Sequence, residues 1–228
     1  MRAAAVTAVK VSTSAVSVGA AGLPGELVVP AGAGGLVVFA HGSGSSRGSP
    51  RNRLVARVLH EHGMATLLFD LLSASEGEDR RLVFDIALLT QRMTDALDWL
   101  RDSVDAILGR QPVGLFGAST GAAAALGAAA RRPGRVCAVV SRGGRADLLP
   151  AAELAQVHAP TLLVVGGADA QVLRGNRQAM QALRCERRLE IVPGASHLFE
   201  EPGTLDAVAH LAADWFAAHC SGAAWTAP

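Results

Sequence analysis

Between Pro112 and Gly134 the chain reads PVGLFGASTGAAAALGAAARRPG, and one hydroxyl nucleophile candidate, Ser119, is boxed there by Gly117 and Gly121. The five residues GASTG fit G-x-S-x-G, with an apolar run before them and an alanine-rich stretch after. At a sharp strand-to-helix turn the serine hydroxyl projects above the sheet edge, and glycine is needed wherever a side chain would crowd the turn. A helix starting at once places the positive end of its dipole beside Ser119, which suits an oxyanion. A glycine-rich turn with a purely structural purpose is the competing reading, and five residues alone do not separate the two.

A serine hydroxyl is a poor nucleophile at neutral pH and needs a general base held by a third group. His197 lies in PGASHLFEEPG, just after the last apolar run; a solvated loop histidine is the plainer reading. Asp169 lies in VVGGADAQV, where it could hold that imidazole or simply cap the next helix. The order Ser, Asp, His, with fifty and then twenty-eight residues between them, suits one or two strand–helix units per gap. Asp147, after SRGGRADLL, is a rival for the acid. Asp70 reads as a structural or loop-capping carboxylate and His41 as a structural loop anchor.

The elements that must position these residues are legible as alternating apolar runs and amphipathic stretches. Strands are expected at Val9–Val18 and Glu26–Val29, as two edge strands joined by a turn at Gly22–Gly25. GLVVFAHG, ATLLFDLL, VGLFGA, CAVVSRGG, TLLVVGGAD and RLEIVPG are further strands, the unbroken apolar ones being of the kind a sheet covered on both faces requires. Helices are expected over Asn52–Glu61, Asp85–Arg101, Thr120–Arg131, Ala151–Gln156, Val172–Leu183 and Leu205–His219, with SEGEDR as a polar loop. Met93 and Met180 sit at helical apolar spacing, as core residues. Strands separated by such helices imply right-handed crossovers and a mostly parallel, doubly wound sheet of about eight strands in one domain, residues 1–228. Ligands bind at the carboxyl ends of strands in such sheets, where Ser119, Asp169 and His197 all fall.

Composition narrows the class. Half of the 228 residues are apolar and the net charge is +1, so a sizeable core is expected, with no field of the kind nucleic-acid binders carry. Tyrosine is absent, which excludes a tyrosine catalyst, and aromatics are too sparse for base-stacking platforms. No apolar run reaches the ~18 residues of a membrane span. The first eighteen residues resemble a strand more than a signal peptide. Cys137, Cys185 and Cys220 form no CxxC or Cys/His metal spacing and are expected as reduced thiols, which points to a cytoplasmic location. There is no GxxxxGK[ST] and no HExxH, so neither a nucleotide, a metal nor another cofactor is expected.

FAHGSGSS, GASTG, VVGGAD and GASHLFEEPG, in that order, resemble the α/β-hydrolase family, in particular the dienelactone-hydrolase-like serine hydrolases of bacteria. The resemblance runs from about Leu36 to Phe216. It implies a Ser119–His197–Asp169 triad, an oxyanion hole built from the backbone N–H groups of Ser43 and Thr120, and a carboxylic-ester hydrolase acting through an acyl-enzyme. An acyltransferase or perhydrolase would use the same triad, and a non-catalytic hydrolase-like binding protein is the third reading. Dienelactone hydrolases proper use cysteine where this chain has Ser119, so dienelactone itself is a poor expectation. Similar domains also occur joined to a phosphoribosyltransferase domain, whose ribose-phosphate loop is not visible here, and no room is expected for a second domain.

The short connection Arg145–Pro160 leaves space for one small helix and no large lid, which suits small soluble ester substrates. Arginines gather near the strand ends, and Arg47 or Arg142 could grip an anionic substrate group; a solvated, salt-bridged rim is the plainer account.

Overall fold

The computed structural model describes residues 11–103 and 113–220. The first ten residues, part of the strand-versus-leader reading, lie outside them. Eight strands form one sheet: β1 (Val11–Val18), β2 (Leu23–Pro30), β3 (Leu36–Ala40), β4 (Ala65–Phe69), β5 (Val113–Ala118), β6 (Val136–Arg142), β7 (Thr161–Gly166) and β8 (Arg187–Val192). Their order is β1-β2-β4-β3-β5-β6-β7-β8, with β2 antiparallel to both β1 and β4 and every later neighbour parallel.

The helices are α1 (Pro50–Glu61), α2 (Ala74–Glu78), α3 (Arg80–Val83), α4 (Ile86–Ser103), α5 (Thr120–Arg131), α6 (Ala151–Leu154), α7 (Ala170–Ala182) and α8 (Thr204–Cys220). One face of the sheet packs against α4 and α5, the other against α1 and α8. Because both faces are covered, β3, β4, β5 and β7 are buried at every residue, which explains their unbroken apolar runs. Each fully buried leucine or phenylalanine contributes about 1.5–3 kcal/mol. The rings of Phe39 and Phe116, from adjacent strands, meet at 4.8 Å. Helix α5 is buried over Thr120–Ala129, and its alanines let it lie close between the sheet and α4.

Three local expectations need correction. The hairpin turn is Gly19–Gly22, where the two glycines carry φ of 65° and 61°, while Gly25 lies inside β2 against Val16 and Phe69. β2 is also interior, paired on both sides; β1 and β8 are the edges. The SEGEDR segment is not a loop but lies in α2 and the start of α3. Ser73 and Glu76 close a reciprocal capping box there, a signal present in the sequence as S-x-x-E.

The cysteine expectation is overturned: Cys137 on β6 and Cys220 at the end of α8 form a disulfide, and Cys185 is free. Nothing local announces a pairing across 83 residues; the packing of α8 against β6 brings the two together. The thiol argument for a cytoplasmic location goes with it. No helix among the described residues is long and apolar enough to cross a membrane.

Candidate active site

The winding of the sheet decides where the site lies. From β3 the chain crosses through α1 to β4 on one side, and β5 then enters on the other side of β3. That reversal opens a crevice outside the carboxyl ends of β3 and β5. His41-Gly-Ser43 leaves β3 there, and Ser119 leaves β5.

Ser119 has φ 51° and ψ −123°, a backbone conformation that L residues rarely adopt. The turn is over-determined by its neighbours. A Cβ on Gly117 would sit 2.7 Å from the Ala122 nitrogen, and one on Gly121 2.5 Å from the His41 carbonyl oxygen. Ser119 N–H donates to the Arg142 carbonyl at 3.2 Å, and its own carbonyl accepts from Arg145 N–H at 3.0 Å. Ser119 is the N-cap of α5, yet its hydroxyl makes no capping bond, unlike Ser49 and Ser73 at other helices. That leaves Oγ free to face the crevice.

Oγ of Ser119 is 3.2 Å from Nε2 of His197, and Nδ1 of His197 is 2.7 Å from Oδ2 of Asp169. Asp169 does both things expected of it in alternative: Oδ1 caps α7 by accepting from Val172 N–H at 3.3 Å, while Oδ2 faces the imidazole. The cap fixes the carboxylate's position, so the second oxygen needs no further anchor. Asp169 is the more enclosed partner, its side chain 13% exposed against 39% for His197. Asp147 is instead turned to Arg145, whose Nε and Nη2 donate to its two oxygens at 2.8 and 2.9 Å.

The loop carrying His197 is tied down on both flanks. Glu201 accepts the Ser196 N–H at 3.0 Å, and this backbone bond holds its carboxyl below the usual range. Phe199 holds φ 56°, an uncommon conformation for a non-glycine residue, with its side chain buried in the core at 2% exposure. Gly143, at φ 53°, lets the backbone of this loop approach closely: a Cβ there would lie 3.1 Å from the His197 carbonyl oxygen.

Of the two expected oxyanion donors, Thr120 N–H belongs to the first helical residue and lies outside the intrahelical ladder. Ser43 N–H donates to Thr120 Oγ1 at 2.9 Å, a contact that sequence reading did not foresee. His41 anchors the same loop, accepting Leu71 N–H at Nε2 (3.0 Å) and donating from Nδ1 to the Gly42 carbonyl (2.9 Å). The ring is therefore neutral, and burial lowers its pKa below the ordinary 6.5.

Two depressions flank this arrangement. A cleft of about 210 Å³ holds Ser119, His197 and Asp169 with Arg145, Gln171 and Val172. Beyond the strip Gly42–Ser43 lies a more apolar cavity of about 330 Å³, walled by Leu71, Leu72, Val83 and Leu89. The α2–α3 segment helps form it, which is why reading that stretch as a loop hid the cavity. Arg47 is committed to Asp70, by an ion pair and by its N–H to Oδ1 at 2.7 Å, so Asp70 does cap this loop. Among the described residues Arg142 has no such partner.

Comparison with known proteins places this geometry. Residues 33–221 match the model of the α/β-hydrolase domain family. The crystal structure of a dienelactone hydrolase from Anabaena variabilis is 54% identical, covers 94% of this chain and 100% of its own, and superimposes with a TM-score of 0.87. The esterase domain of a Rhodothermus marinus protein, 19% identical over 92% of this chain and 99% of its own, shares the fold with a TM-score of 0.72. A Mycobacterium tuberculosis protein named "Putative phosphoribosyl transferase" is 56% identical over 198 residues, 87% of this chain; the chain spans only 44% of that relative's length. The chain thus belongs to the α/β-hydrolase family and is dienelactone-hydrolase-like.

Proposed function

We propose that the protein is a serine hydrolase of small carboxylic esters that works through an acyl-enzyme on Ser119. The observation that carries this reading is the unbroken contact line from Ser119 Oγ to His197 at 3.2 Å and on to Asp169 at 2.7 Å, set on a positive-φ elbow. In the first half-reaction His197 Nε2 takes the hydroxyl proton as Oγ bonds to the ester carbon. The carbonyl oxygen becomes an oxyanion that receives Thr120 N–H and, once turned from its present acceptor, Ser43 N–H. Collapse breaks the ester C–O bond, and the imidazolium returns its proton to the departing alcohol. Water then repeats the sequence and frees the acid. Asp169 keeps Nδ1 protonated and stabilises the imidazolium; each oxyanion donor is worth about 3 kcal/mol of barrier.

The apolar cavity of about 330 Å³ beside Ser43 supports a short acyl or alcohol chain as its occupant. Serine, where dienelactone hydrolases proper use cysteine, argues for simple esters over dienelactone. Phosphoribosyl transfer, the property named for the mycobacterial relatives, is not carried over, because this chain spans less than half of them. The test is a panel of p-nitrophenyl esters with fluorophosphonate labelling. Wild type should turn over short esters and take one label, and Ser119→Ala should lose both. Labelling that persists in Ser119→Ala would remove that serine as nucleophile.

A further inference from the structure

Arg142 ends β6 directly beside the elbow: its carbonyl accepts the Ser119 N–H, and its Cα is level with Ala118. Successive side chains on a strand leave opposite faces. Ser141 Oγ lies on the α5 side, near Gly144 and Ala122, so Arg142 leaves on the α1 side with Ala138 and Val140. There it is only 6% exposed, and its Nε is buried without a hydrogen-bond partner.

Among the described residues no carboxylate pairs with it. The acids of the rim are already engaged: Asp70 with Arg47, Asp147 with Arg145, Asp169 with His197 and Glu201 with Ser196 N–H. What faces Arg142 instead is a second cation, Arg51, in the first turn of α1, whose own Nε is also buried and unpartnered. Burial and then the charge of Arg51 lower the Arg142 pKa to about 10, so it stays cationic at neutral pH. The first turn of α1 holds no acid, and the helix adds its positive end to the same field. Among the described residues the counter-charge is Glu200, 3.5 Å from Arg51 and itself 65% exposed. Buried charges in folded proteins are paired, and among the described residues no acid meets Arg142.

We propose that Arg142, with Arg51, forms an anion-binding site beside Ser119 that accepts a carboxylate or phosphate group, and that in catalysis this group is a second, charged end of the ester. The substrate half of this statement rests on the esterase reading; the anion site does not. A planar guanidinium presents paired N–H donors that match two oxygens of either group. Arg47, neutralised by Asp70, has no charge to spare for this role.

Two measurements test it. In the first, inorganic phosphate and adipate are titrated at fixed ionic strength into wild type, Arg142→Gln and Arg142→Lys, with Tm as the readout. A saturable rise is expected in wild type, absent from Arg142→Gln and weakened in Arg142→Lys. Lysine retains the charge, so it serves if the glutamine variant does not fold. No saturable rise in wild type, a shift that follows ionic strength alone, or an undiminished rise in both variants overturns the site. In the second, kcat/KM for mono-p-nitrophenyl adipate is compared with that for neutral p-nitrophenyl hexanoate. The ratio should fall about tenfold or more in the variants, through KM, as expected for one charge-assisted contact. An unchanged ratio beside a lost Tm response assigns the site to a free anion and overturns the substrate half. Absence of hydrolysis of either ester, with the Tm response intact, overturns the esterase reading and leaves the anion site standing.

Discussion

Ser43 donates its backbone N–H to the side-chain oxygen of Thr120, 2.9 Å away and 77 residues along the chain. One bond thus docks the loop after β3 onto the first residue of α5, which directly follows the elbow. In the resting protein the N–H expected to meet the oxyanion is occupied, by an acceptor residue buried at 3% exposure, while Ser43 itself is exposed.

Replacing Thr120 by valine keeps the shape and removes the acceptor. The Ser43 N–H then loses its protein partner, at a cost of about 0.5–1.5 kcal/mol. Within the proposed function, Thr120→Val should lower both Tm and kcat, the latter about tenfold, while Thr120→Ser stays within about threefold of wild type. Melting curves and p-nitrophenyl ester kinetics on the two variants check this. A valine variant at full activity would show that the loop needs no such anchor.

Asp169 holds a helix cap and an imidazole with different oxygens, and asparagine separates the two. Asparagine caps a helix about as well as aspartate but cannot stabilise the imidazolium. Asp169→Asn should therefore keep the wild-type Tm within a few degrees while kcat falls about 10³- to 10⁴-fold. Asp169→Ala should lose the cap as well. Asp147→Asn breaks a partly exposed pair with Arg145 and should change stability by less than about 1 kcal/mol, with activity retained. The reverse outcome for the two positions would transfer the acid's role to Asp147.

The pH dependence of stability follows from His41 and His60. Burial lowers both pKa values below 6.5, so in the window beneath 6.5 the unfolded chain binds more protons than the folded one. Stability is then full above pH 6.5 and declines as the pH falls through the folded values. For His41 the structural cause is specific: a proton on Nε2 would abolish its acceptance of Leu71 N–H. Tm measured from pH 7.5 to 5 should drop in wild type, and the slope should be shallower in His41→Gln. Equal slopes in the two proteins would place the proton uptake elsewhere.

The disulfide fastens the last turn of α8 to β6 and closes a loop of more than eighty residues. Cross-links of this kind contribute about 2–4 kcal/mol, largely by restricting the unfolded chain. Reduction, or Cys137→Ser, should lower Tm by several degrees; Cys185→Ser, at a free and half-buried thiol, should not. A thiol titration giving three free cysteines in the unreduced protein would contradict the pairing.

Much of the frame was readable because its signals are local. Unbroken apolar runs marked strands buried on both faces, and G-x-S-x-G between a strand and a helix marked the elbow. The capping box at Ser73 was equally local and was passed over because the segment is short and polar. By itself the sequence determined the element types outside α2 and α3, their chain order, and that hydroxyl, carboxylate and imidazole groups fall at strand ends. Tertiary structure alone decided that Asp169 meets His197 while Asp147 meets Arg145, that Cys137 finds Cys220, that Ser43 leans on Thr120, and that Arg47 is neutralised while Arg142 is not. The physical reason is range. Backbone propensity and side-chain periodicity act over a few residues, whereas each of these pairings joins groups whose facing depends on local turns, strand order and which face of the sheet a side chain leaves.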